Sequence, residues 1–184
     1  LLPNQLIVKL SIESVTVIHR SRGLRRQIMQ QQNISIALNE DLHSEKSVWL
    51  QAIRTLEIAM AAMQIKPKTT LQIIIADDFV RYLILPSGPI PMSPAEKHAY
   101  ALATYFEIYG AVADSWHIKL HDAAPNETTL AAAIDENLLE TFKQISLKHQ
   151  LKLTSVQPFL MYAYNGLIKQ VGKLNGYLVI LESK

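Results

Sequence analysis

Asp77 and Asp78 are adjacent carboxylates, and a pair of that kind could hold a magnesium ion in the manner of nucleases and phosphotransferases. Neighbouring residues on a strand point to opposite faces, so the two converge only where a turn distorts the chain. Asp is also a favoured turn former, and that reading is preferred here. His117 and His121 have the four-residue spacing that chelates zinc on a helix. The segment Trp116 to Leu120 reads as a strand, however, where that spacing separates the two by about 13 Å. The other histidines, His19, His43, His98 and His149, are scattered and have no motif partners. No nucleophile elbow, no G-x-G-x-x-G and no Walker A motif occurs. The residues themselves therefore assign no catalytic, cofactor-binding or metal-binding position. Arg20, Arg22, Arg25 and Arg26 surround Gly23 and could meet anionic lipid or phosphate, although a solvated hairpin tip is the simpler expectation.

The frame that must carry these residues is a folded α/β domain. At 184 residues with 49% hydrophobic content the chain can bury a substantial core. A net charge of +2 is too small to argue for nucleic acid, and the isoelectric point of about 8.8 leaves room only for a local basic patch. The absence of cysteine rules out disulfides and thiolate metal sites and fits a reducing compartment. No apolar run approaches the roughly 20 residues of a membrane helix and no signal-peptide pattern opens the chain, so a cytoplasmic location is expected. The sequence starts without methionine, as would a segment cut from something longer.

Thr69 to Tyr109 is the most strongly signposted stretch. Leu71 to Ala76 and Phe79 to Leu85 are β-rich runs flanking Asp77-Asp78, which predicts a hairpin. Ser93-Pro94-Ala95-Glu96 then sets a hydroxyl at the N-cap, proline at N1 and a carboxylate at N3, a capping box. Ala99, Leu102, Phe106 and Tyr109 follow at helical spacing and predict the buried face of that helix, with Gly110 as its stop. Upstream, Gln5 to Leu10, Val15 to His19 and one or two strands within Gln27 to Leu38 predict an antiparallel meander. Ser44 or Ser47 caps a helix whose stripe of Trp49, Ile53, Leu56, Met60 and Met63 packs on a sheet. Downstream, Trp116 to Leu120 pairs with Thr129 to Ile134, and Asp135 caps a helix through about Lys148 with Leu138, Leu139, Phe142 and Ile145 inward. Leu151 to Val156 is a strand, Pro158 opens a fourth helix at N1, and Asn175-Gly176 turns into a last strand, Tyr177 to Leu181.

From Leu71 onward this order resembles the cytoplasmic actin-like domain of inner-membrane assembly proteins, namely the type IV pilus protein PilM, its relative MshI and the type II secretion protein GspL. The residues that carry the resemblance are Ala76 to Pro86, Tyr105 to Gly110, Ala133-Ile134-Asp135 with Leu138-Leu139, and Ser155 to Met161. It covers about Thr69 to Lys184 well and the N-terminal third loosely. The implied class is α/β (α+β), an actin-like or RNase-H-like partial fold: a mixed sheet with flanking helices and an N-terminal antiparallel meander. It would form one domain in two lobes, residues 1–66 and 67–184, with the chain stopping before a second actin-like lobe.

Actin-like ATPases grip phosphate with an Asp-x-Gly turn between their first two strands. The resemblance puts Ser11-Ile12-Glu13 there, with the aspartate lost and the glycine replaced by a carboxylate. It therefore implies no cofactor and a non-catalytic scaffold on the cytoplasmic side of a pilus or secretion platform. Such a scaffold would meet the inner membrane through its partners and bind another assembly protein through sheet edges or an inter-lobe groove. The competing expectation is a degenerate actin-like or RNase-H-like enzyme acting on nucleotide or phosphate with Asp77 and Asp78. Tyr177, Val179 and Leu181 are the expected interface, because an open strand there would fold back, pair with a second copy or receive a partner's peptide.

Overall fold

The computed structural model describes residues 4–21, 27–36, 45–86, 92–121, 128–171 and 180. The expected strand Tyr177 to Leu181, the turn before it, and Arg22, Arg25 and Arg26 lie outside the described residues. The chain divides into two units, Leu1–Phe79 with Phe142–Lys184, and Val80–Thr141. This division does not follow the expected line after residue 66.

The first unit is built on a five-stranded sheet in the order β3-β2-β1-β4-β8. β1 (Gln5–Leu10), β2 (Ser14–Arg20) and β3 (Ile28–Ser35) form the antiparallel meander that the sequence predicts, with β3 a single strand running through Gln32-Asn33. β4 (Thr70–Ile75) pairs in parallel with β1 on one side and with β8 (Lys152–Pro158) on the other. Five of the six β4 residues are buried, as near-continuous apolar strands of parallel sheets are when both faces are covered.

The predicted hairpin between β4 and β5 does not form. Both edges of β4 are already hydrogen-bonded to parallel neighbours, which leaves no ladder for β5 (Arg81–Leu85). Asp77–Phe79 instead makes a 3-10 turn, and β5 joins a separate sheet.

α1 (Glu45–Ala61) lies against β2 and β3. Every residue of the expected stripe, Trp49, Ile53, Leu56, Met60 and Met63, is buried. Ser47 sits inside this helix and so is not its cap, while Ser44 lies outside the described residues. α3 (Glu136–Lys148) is capped as expected, the Asn137 amide donating to Asp135 Oδ1 at 2.7 Å, and Leu138, Phe142 and Ile145 are buried. Pro158 ends β8 rather than opening α4 (Phe159–Val171), because its ladder partner Ile75 still holds it in the sheet.

Under α1, His19 is 1% exposed and neither ring nitrogen has a hydrogen-bond partner among the described residues. Burial, with a smaller push from Lys66, lowers its pKa below the ordinary 6.5. The folded state therefore refuses a proton that the unfolded chain accepts below pH 6.5. Stability is unaffected above that pH and is lost as the pH falls from it through the depressed folded value. Thermal melts from pH 7.5 to 5 should show the midpoint dropping, and His19→Leu should flatten that slope; an unchanged slope in the variant would exclude His19 as its source.

The second unit is a three-stranded antiparallel sheet, β5-β7-β6, with β6 at Trp116–Leu120 and β7 at Thr129–Asp135, so the predicted pairing of the last two is found. α2 (Pro94–Tyr109) begins with the capping box: the Glu96 amide donates to Ser93 Oγ at 3.3 Å and the Ser93 amide to Glu96 Oε2 at 2.7 Å. Gly110, at φ +74°, ends it in a conformation that costs a residue with a Cβ.

The buried face of α2 is not the predicted one. Leu102, Phe106 and Tyr109 are 37%, 48% and 41% exposed, and Ala101 and Tyr105 are buried instead. The three-stranded sheet beneath has a floor of Ala131 and Ala133, whose small side chains leave room for a large ring above them, with Trp116 packed at its edge. Tyr105 fills that room, and its hydroxyl donates to the carbonyls of Arg81 (2.8 Å) and Ala131 (3.2 Å). No helix among the described residues is long and apolar enough to cross a membrane.

Candidate functional site

In an open sheet with parallel strands, ligands sit outside the carboxyl ends of those strands. Here β1, β4 and β8 run parallel and end in register, Leu10 opposite Ile75 and Ile75 opposite Pro158, with the Ala76 amide donating to the Leu10 carbonyl at 2.8 Å. Three segments therefore meet at one rim of the first unit: the turn Ser11 to Ser14, the 3-10 turn Asp77–Phe79, and the start of α4.

The first turn is closed on itself. Ser11 Oγ accepts from the amides of Ser14 (2.9 Å) and Glu13 (3.3 Å), and the same hydroxyl lies 3.0 Å from the Ser14 carbonyl, to which it donates. The Ser11 amide also donates to the Ser14 carbonyl at 2.9 Å. The amides of Ser11, Glu13 and Ser14 are thus spent within the loop. The Glu13 carbonyl is taken as well, accepting from the Ile36 amide at 2.6 Å.

Asp77 is half-buried and Asp78 exposed. Asp77 Oδ1 accepts from the Leu160 amide at 3.3 Å, in the first turn of α4. It thereby satisfies one of the free N–H groups of that helix and sets a negative charge at the positive end of its dipole. This is a capping role supplied from another element, which sequence spacing cannot reveal because the two residues are 83 positions apart. The nearest sequence signal was the proline before α4. Asp77 and Asp78 do both sit in a turn, as their residue type suggests.

The three rim segments hold Glu13, Asp77 and Asp78 and neither lysine nor arginine. An incoming phosphate would meet carboxylates and occupied amides. Among the described residues no three histidine, aspartate or glutamate side chains stand together as a metal site.

The remaining candidates are dispersed. Arg20 is turned back onto the sheet, where its Nε (2.9 Å) and Nη2 (2.7 Å) both donate to Gln5 Oε1. His117 lies on β6 with its Nδ1 3.2 Å from Glu136 Oε2, whereas His121 follows the strand and its amide donates to the Leu130 carbonyl. The strand that separates these two histidines is the one anticipated from the sequence.

No protein-family model matches the sequence, and no curated protein matches it. Solved structures do. The cytoplasmic domain of EpsL, an inner-membrane component of the type II secretion system of Vibrio cholerae, aligns at a TM-score of 0.53 and 12% identity, over 84% of this chain and 57% of that one. A chain of the PilM–PilN type IV pilus biogenesis complex aligns at 0.51 and 9%, over 90% and 50%. A Bacteroides thetaiotaomicron protein of unknown function with an actin-like ATPase fold aligns at 0.50 and 11%, over 91% and 57%. The chain thus spans between half and three-fifths of the length of each. Such low identities speak for architecture alone, and the architecture is that of the actin-like ATPase fold, shared with the EpsL cytoplasmic domain and the PilM–PilN complex.

Proposed function

We propose that this chain is a non-catalytic actin-like domain of a type II secretion or type IV pilus assembly platform, acting on the cytoplasmic side of the inner membrane by binding another assembly protein. The observation that carries the non-catalytic part is the β1–β2 turn, whose Glu13 and Ser14 amides are both held by Ser11 Oγ. A nucleotide site at this rim would need those amides free and a cation nearby, and the rim offers carboxylates in their place. The likeness to the EpsL domain and to the PilM–PilN complex supports the assembly role. A partner's extended peptide pairing with the strand expected around Tyr177, Val179 and Leu181 is one form that role takes.

Calorimetry with Mg-ATP tests the first half and is expected to show no saturable heat. A dissociation constant in the low micromolar range, abolished by changing Ser14 or Thr16, would overturn the non-catalytic reading and restore the nucleotide enzyme as the better account. For the second half, a chromosomal deletion is expected to impair pilus assembly or type II secretion in the source organism; both processes running at wild-type levels would remove the assembly role.

A further inference from the structure

β3 is the outer strand of the five-stranded sheet, and among the described residues no strand lies beyond it. The side on which its ladder is open can be read from one bond. The Ile36 amide points inward, donating to the Glu13 carbonyl, so alternation along the strand turns the N–H and C=O of Gln31, Asn33 and Ser35 outward. An outer strand with such a row is a template for another strand unless lysine, proline or a cover blunts it. The opposite outer strand, β8, carries Lys152 at its start and Pro158 at its end. From Gln27 to Ile36 there is neither a charged residue nor a proline. Ile28 and Met29, at the start of β3, are 63% and 52% exposed.

We infer that β3 is a self-pairing edge, on which a second copy of this chain adds its own β3 antiparallel across a two-fold axis to make one continuous sheet of ten strands. The strand's composition selects this occupant over a foreign peptide. Two opposed residues in an antiparallel pair must share a face and a bonding direction, so the axis passes through a residue rather than between residues. Centred on Gln31 it sets Gln30 against Gln32; centred on Gln32 it sets Gln31 against Asn33. Either way amide meets amide. Carboxamides both donate and accept, so a Gln/Asn row is complementary to itself, as stacked amide ladders are, whereas a strand with no charge offers a foreign partner nothing to select by. A two-fold pair also closes the β3 edge, because each β3 covers the other; among the described strands the outer edges of the joined sheet are then the two β8 strands, which carry Lys152 and Pro158. The pairing is independent of the assembly role proposed above.

Gln31 is the test position, since its N–H points outward and contributes nothing to the β2 ladder. Gln31→Pro removes the outward donor while leaving the internal pairing, as proline on an outer strand does. Gln31→Lys sets like charges close together across the axis in either register. By light scattering coupled to size exclusion, the wild-type chain is expected to move from monomer to dimer mass as concentration rises, while both variants stay monomeric with an unchanged melting midpoint. If Gln31→Pro proves unfolded, Gln31→Lys alone decides, its dimerisation recovering partly at high salt. A wild-type chain that is monomeric at the highest attainable concentration overturns the inference, as does a dimer of equal strength in a folded variant.

Discussion

Tyr105→Ala is expected to cost the Val80–Thr141 unit about 3–5 kcal/mol, the range for truncating a fully buried aromatic ring, whereas Phe106→Ala, one residue along the same helix, should cost about 1 kcal/mol or less. Tyr105 is completely buried among Leu85, Ala101, Ala113, Ile118, Ala131 and Ala133. Four of these six neighbours are alanines, whose side chains are too short to extend into the vacated space. Its ring also meets Trp116 edge-on at 5.8 Å. That contact supplies the measurement. The chain has two tryptophans, Trp49 in one unit and Trp116 in the other, so denaturant melts followed by fluorescence in a Trp49→Phe background report the second unit separately. Tyr105→Phe isolates the hydroxyl: the Arg81 and Ala131 carbonyls lose a shared donor, and a loss of about 1–3 kcal/mol is expected. Equal costs for Tyr105→Ala and Phe106→Ala would mean that α2 packs on both faces in solution.

Leu56→Ala should destabilise the first unit by about 2–5 kcal/mol. Leu56 is at the middle of the α1 stripe, buried between Ile53 and Met60 along the face that covers β2 and β3. The flexible Met60 beside it would partly relax into the gap, which favours the lower end of that range. Ile58, on the same helix but 64% exposed, is the control, and Ile58→Ala should fall within about 0.5 kcal/mol of the parent. Trp49 fluorescence in a Trp116→Phe background follows the transition. An Ile58→Ala loss as large as that of Leu56→Ala would mean that the outer face of α1 is also covered.

The sequence determined whatever depended on near neighbours. The capping box at Ser93 and Glu96 links residues three apart, the Asp135 cap residues two apart, and the β1–β2–β3 meander uses short connections, so each was legible from residue type and spacing. The α1 stripe was legible too, because that helix has one strongly apolar face and the sheet beneath is wide enough to bury all of it. The actin-like architecture was legible only as a resemblance, carried by Ala76 to Pro86, Tyr105 to Gly110, Ala133 to Asp135 with Leu138-Leu139, and Ser155 to Met161, and the solved structures share that fold.

Tertiary structure decided the rest, for reasons no local pattern encodes. β4 and β5 looked like a hairpin because they are adjacent and both β-rich, but β1 and β8, distant in sequence, claim the two edges of β4 first. α2 carries two apolar stripes, and the choice between them fell to an alanine-floored sheet that admits Tyr105 and leaves Phe106 in solvent. Asp77 was legible as a turn residue but not as the cap of α4, a bond that exists only once β4 and β8 lie side by side. At the β1–β2 turn the sequence showed that aspartate and glycine were missing. Only the folded backbone shows the Ser11 hydroxyl occupying the amides they would have left free, since the direction of an N–H is a property of the turn's conformation and not of its letters.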